Sequence, residues 1–181
     1  FASHWHRIWF SDGPAPVPQV GTWSDRTNPA NPSTGTINTS FPKGQALAEW
    51  LVNVGALMGD LLPIQEARHN ADVSAANTPS QPWILSDAAA MPPGATQYFS
   101  FNTPTDAVMQ PDGVQYCGRV VFSDLHVGAA SGDDPLQPVP NSCAMAKLSP
   151  QEAVLEFMLF DLSSCVVPDD TPPMPPPIVV E

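Results

Sequence analysis

Charge is the scarcest commodity in this chain. Only 13% of its 181 residues are charged, against the roughly 25% usual for a globular domain. Cations are the rarest, with 6 Lys+Arg, only two of them lysines, facing 18 Asp+Glu for a formal net charge of -12. A surface so acidic repels phosphate backbones and anionic lipid, which argues against nucleic-acid or membrane-surface binding. No apolar run approaches the roughly 18 residues that a membrane-spanning helix needs. Cysteine is also sparse. Cys117, Cys143 and Cys165 show no CxxC spacing, which removes zinc-ribbon and thioredoxin-type readings.

Hydrophobic residues make up 43% of the chain, enough for one real core at this length. The 23 prolines indicate loop-rich construction. Few lysines beside many Pro, Ser, Thr and Asn are the look of an exported protein, so an extracellular or cell-envelope location is expected. A reducing cell with three free thiols is the competing expectation.

The opening, FASHWHRIWF (residues 1–10), has β-type composition and reads as a strand, with upstream strands of the same sheet expected outside these residues. Residues 11–39 are dense in Pro, Gly, Asn and Ser and read as a long loop anchored by Trp23. A helix then starts after Thr39 or Ser40 as cap, with Pro42 in its first turn. Ala46, Leu47, Trp50, Leu51 and Val54 form its apolar face, and Gly55 or Gly59 ends it. Residues 61–67 read as an edge strand tolerating Pro63, 82–86 as a short apolar run, and 96–102 as a strand with Tyr98 and Phe99 on opposite faces. Residues 117–127 (CGRVVFSDLHV) carry a continuous apolar run suited to a strand buried on both faces. Ser149-Pro150-Gln151-Glu152 is a helix start with a capping box, followed by a wide apolar face to Leu162. Residues 166–181 are Pro-rich, a linker or tail with polyproline character. Alternating strands and helices predict an α/β domain with an open, largely parallel sheet flanked by helices.

The block CGRVVFSDLHV, followed by LSPQEAVLEFMLFDLSSC, resembles the C-terminal end of class I glutamine amidotransferase-like domains, including the trehalose-utilisation-type group. Gly118, Arg119, Val120, Phe122, Ser123 and His126 carry the match. FASHxH…WF, FPKGxALAxWL and QYFSFNTP are similar to segments of secreted myxobacterial-type proteins. The resemblance covers residues 1–165 and implies a flavodoxin-like fold truncated at its N-terminus. Residues 11–39 and 128–148 would be its long loops. Catalytic members place a cysteine in a G-x-C-x-G elbow. Here the corresponding stretch is Ala2-Ser3-His4-Trp5-His6, so glutamine hydrolysis is not carried over.

Ligands of open parallel sheets bind beyond the carboxyl ends of the strands. Two strand ends here bring histidines: His4 and His6, and Asp124 and His126. Residues i and i+2 share a strand face, so the four can converge as ligands of a divalent metal such as zinc. Alternatively Asp124 orients His126 as a base on Ser3, a hydrolase arrangement. The third reading is packing, with the imidazoles bonded to backbone. His69 reads as a surface residue, and Asp133 and Asp134 fall short of a full calcium loop. Cys117 begins the buried strand and Cys165 ends the helix running back along it. The two are therefore expected to pair as a disulfide, leaving Cys143 for a partner elsewhere. The function expected is a non-catalytic amidotransferase-like module of a larger exported bacterial protein, with further domains of the same polypeptide as partners. The alternative is a metal-dependent or Ser/His hydrolase.

Overall fold

A computed structural model describes residues 1–106, 109–110, 113–114, 116–127, 148–163 and 169–172. Along the chain run β1 (Ala2–Ser3), a 3-10 turn (His4–Arg7), α1 (Ile8–Ser11), a second 3-10 turn (Val17–Val20), β2 (Thr22–Trp23) and β3 (Ser33–Ile37). Next come α2 (Pro42–Asn53), β4 (Leu61–Ile64), β5 (Ala71–Asp72), β6 (Gln81–Ser86) and β7 (Thr96–Thr103). The rest are β8 (Met109–Gln110), β9 (Gly113–Val114), β10 (Gly118–Ser123) and α3 (Pro150–Ser163). Six strands form one sheet in the order β1-β10-β7-β6-β3-β4.

The fold is α/β, but the sheet is mixed and mostly antiparallel. Among the described strands of this sheet, only β1 and β10 run parallel; β10–β7, β7–β6, β6–β3 and β3–β4 are all antiparallel. The open, largely parallel sheet expected from the alternation of strands and helices is therefore corrected, and the flavodoxin-like arrangement implied by the resemblance is not borne out. Burial on both faces needs only a cover on each side, whatever the direction of the neighbours. Nine residues link β6 to β7, too few for the crossover of a dozen or more that parallel neighbours require.

The two covers differ in kind. On one face α2 and α3 pack over Leu62, Ile64, Trp83, Tyr98 and Val121. On the other, the described residues include no helix layer. The N-terminal segment crosses the sheet and packs Phe10, Val20 and Trp23 onto Phe99, Phe101 and Phe122. Trp23 is the anchor expected of it: its ring stacks on Phe10 at 5.2 Å, meets Phe122 edge-on at 5.1 Å, and its indole N–H donates to Pro18 O. Burying each such ring stabilises by roughly 1.5–3 kcal/mol. Tyr98 and Phe99 do fall on opposite faces, one in each core.

Local signals held where caps decide. Ser149 N–H donates to Glu152 Oε2 at 2.7 Å and Glu152 N–H returns to Ser149 Oγ at 3.3 Å, a closed capping box. α2 ends on Gly55 at φ +67, with Gly55 N–H on Val52 O and Ala56 N–H on Leu51 O, the double turn that a left-handed glycine permits. Its N-cap is Phe41 rather than Thr39 or Ser40. β4 lies at the sheet edge, where Pro63 costs no ladder bond.

Two expectations about extended chain are corrected. FASHWHRIWF is strand only at Ala2–Ser3; from His4 it coils into helical turns. The loop over 11–39 contains β3, a strand inside the sheet. Its sequence, STGTI, looks loop-like, yet a Cβ on Gly35 would lie 2.8 Å from Ile64 Cδ1 and 3.0 Å from Ile84 Cγ2. Glycine is there so that neighbouring side chains can close over the strand. Cys117 is a free, exposed thiol; its expected disulfide partner Cys165 lies outside the described residues. Cys143, Cys165, Asp133 and Asp134 lie outside the described residues.

Candidate functional site

The parallel pairing Ala2↔Phe122 and Ser3↔Ser123 lays the carboxyl end of β1 beside that of β10. His4 follows the first strand and His126 lies three residues past the second. Their imidazoles stack, with centroids 5.2 Å apart and planes 13° from parallel. Two of the four candidate residues thus meet, one from each strand end.

The other two do not join them, because both strands stop too early for alternation to apply. His4 takes φ +46, the left-handed region that costs a non-glycine residue roughly 1–2 kcal/mol. The chain turns there into the 3-10 segment, which carries His6 off the strand face. His6 Nδ1 accepts the Ser3 N–H at 3.1 Å and its ring stacks on Trp9 at 4.4 Å. It does the work of the acidic residue in a capping box. Asp124, fully buried, turns inward. Its Oδ2 accepts Asn70 N–H at 2.7 Å, its N–H donates to Gln97 O, and its carbonyl accepts Arg68 N–H. Asp124 therefore fastens the 68–71 segment to the sheet and does not orient His126. Burial pushes its carboxyl up to about 7, against the backbone N–H groups of Asn70 and Ala71, which favour the charged form.

What faces His126 is a residue without a place in the sequence-derived set. Glu66 Oε2 lies 3.7 Å from His126 Nδ1. Glu66 stands at φ +52, and among the described residues it and His4 are the two non-glycine residues at positive φ. Both border His126. The strained backbone at Glu66 is pinned on each side. Glu66 N–H donates to Asn31 Oδ1 at 3.1 Å, and Gln65 N–H to Gln151 Oε1 at 2.8 Å. The Gln151 amide donates in turn to the carbonyls of Gln65 and His126. Gln151, buried in the first turn of α3, thereby holds both sides of the site at once. A buried glutamine one position after a helix-starting proline was the available signal.

Burial lowers the pKa of His4, and the charges of His126 and Arg68 lower it further, while a hydrogen bond to the Asp124 backbone works the other way. The site thus concentrates basic groups on a chain of net charge -12. The zinc set expected from His4, His6, Asp124 and His126 is not assembled. Stacked rings direct their in-plane lone pairs side by side rather than at a shared point, His6 is engaged with Ser3, and Asp124 with Asn70. Among the described residues no group of three or more His, Cys, Asp or Glu side chains is placed to hold a metal ion. The Ser3 backbone N–H donates to His6 Nδ1. His69, expected at the surface, is buried between Asp72 Oδ1 at 2.8 Å and the Thr27 carbonyl at 3.3 Å.

Compared with protein-family models, curated proteins and solved structures, the chain matches none. Among the described residues no helix is long and apolar enough to cross a membrane.

Proposed function

We propose that this chain is a non-catalytic amidotransferase-like module of a larger exported bacterial protein, with a ligand-binding role at the carboxyl edge of β1 and β10. One observation carries the reading. The strand-to-turn position that would hold a nucleophile carries a left-handed His4 stacked on His126, and an imidazole there has no thiol or hydroxyl to attack with. Backbone strain is kept where the surroundings over-determine it, and it gathers at working sites. Here it flanks His126 on both sides. Arg68 and the paired imidazoles, beside the Glu66 carboxylate that an anion would displace, suit an anionic ligand. Export rests on composition alone, with Cys117 free.

A second reading, a hydrolase, has one observation in its favour: the Glu66 carboxylate faces His126 Nδ1, as an orienting acid faces a general base. Turnover separates the two. Ammonia release from glutamine and hydrolysis of p-nitrophenyl acetate are expected to be the same for the chain and its His126→Ala variant. Titration with inorganic phosphate is expected to shift the His4 and His126 imidazole resonances. Turnover lost in His126→Ala sinks the non-catalytic reading; imidazoles indifferent to phosphate sink the anion-binding one.

A further inference from the structure

At the other end of β10, between α2, α3 and the sheet, lies a second polar cluster. Arg119 projects onto the helix face with a side chain 3% exposed. Its guanidinium carbon lies 5.6 Å from the centre of the Trp83 ring. Its nitrogens reach Asn102 Oδ1 at 3.1 Å, Ser100 Oγ at 2.9 Å and Asp161 of α3 at 2.7 Å. Lys43 of α2, 4% exposed, reaches the same Asp161 at 2.7 Å. One edge of the guanidinium is left over, and it meets the carboxylate of Asp169, which also lies 4.0 Å from Lys43 Nζ and 3.5 Å from Ser100 Oγ.

The two acids are held differently. Asp161 belongs to a helix packed in the core. Asp169 belongs to the short turn 169–172 beyond it, and it carries the side-chain hydrogen bonds and ion pairs of those described residues. The guanidinium is fixed by Trp83, Ser100, Asn102 and Asp161 without help from Asp169. A cation positioned in advance, beside a hydroxyl and a second cation, is a carboxylate receptor.

We propose that Arg119, Lys43 and Ser100 form a carboxylate-binding pocket that the chain fills with its own Asp169, making the turn 169–172 a latch. The ligand class is a small or peptide carboxylate, and the resident ligand is internal.

The test is chemical rescue in the full chain. Asp169→Ala empties the pocket while leaving room for a small acid; Asp169→Asn leaves it filled but uncharged. Sodium acetate is compared with sodium chloride at equal ionic strength. Asp169→Ala is expected to melt several degrees below the parent chain, and the amides of the 169–172 turn to exchange their hydrogens at least tenfold faster. Acetate is expected to raise the melting temperature of Asp169→Ala, but not of the parent chain or Asp169→Asn. If Asp169→Ala folds in acetate and not in chloride, the pocket is supported equally. An Asp169→Ala chain with parent-like melting and exchange overturns the latch. A destabilised Asp169→Ala that acetate and chloride affect alike overturns the carboxylate pocket. Should Asp169→Ala fold in neither salt, Asp169→Asn decides: exchange of the 169–172 amides unchanged from the parent chain overturns the proposal.

Discussion

The two ends of β10 put polar groups to opposite uses. At Arg119, two cations and two carboxylates neutralise one another between helices and sheet, in ordinary backbone geometry. At His126, two imidazoles stack, a carboxylate stops at 3.7 Å, and two residues sit at positive φ. The first end is arranged for cohesion and the second retains tension. The difference lies in what each end is fastened by: ion pairs to α2 and α3 at Arg119, and the amide of Gln151 at His126.

Removing Arg119 should break the comparison most. Arg119→Met leaves Asp161 and Asp169 buried with less countercharge, and should cost about 3–5 kcal/mol in urea unfolding. A loss under 1 kcal/mol would mean that this end is no more cohesive than the other. Next comes pH. Asp124 has an ordinary value of 3.8 and titrates near 7 when folded. Between those values the folded state holds a proton that the unfolded state has released. The stability this contributes is full below pH 4 and is lost as pH rises to 7. Measured against Asp124→Asn, the chain should therefore lose roughly 1.4 kcal/mol per pH unit over that window and stay level above it. A flat difference profile would show Asp124 charged throughout. His4 has the opposite sign: its lowered value gives stability that is present above about pH 6.5 and is lost as pH falls.

Gln151→Ala should cost roughly 1–3 kcal/mol by leaving the carbonyls of Gln65 and His126 unpaired. It should also broaden the His126 resonances; unaltered resonances would remove Gln151 from the site. The smallest effect sharpens the contrast in sign. Glu66→Gly should stabilise by about 1 kcal/mol, because glycine accepts φ +52 without penalty, while phosphate should shift His126 at lower concentration once the facing carboxylate is gone. Destabilisation by Glu66→Gly would mean that the strain account is wrong there.

Much of the framework was legible because its signals are local. Pro42 and Gly55 bracket α2, Ser149 and Glu152 open α3, Pro63 marks an edge, and Trp23 is an anchor, each readable within a few residues. β3 was not legible, since Ser33–Ile37 has the composition of a loop and becomes a strand only between β4 and β6. The site was half legible. His4 and His126 meet as strand-end residues should, but His6 and Asp124 were assigned by an alternation that ends at Ser3 and Ser123. Glu66, Gln151 and Asp169 were missed because their partners are distant in sequence: Gln151 lies 86 residues from Gln65 and Asp169 lies 50 from Arg119.

By itself the sequence determined the acidic surface, the helices with their caps, the buried apolar core of β10 and the proximity of two histidines. These arise from charge count, hydrogen bonds within a turn and side-chain periodicity, which act over a few residues. Only the tertiary structure decided the antiparallel sheet, the N-terminal cover on its second face and the partners of each buried charge. Strand direction and ion pairing depend on which distant segments share a neighbourhood, and that is set when the chain closes its loops and excludes water from two cores at once.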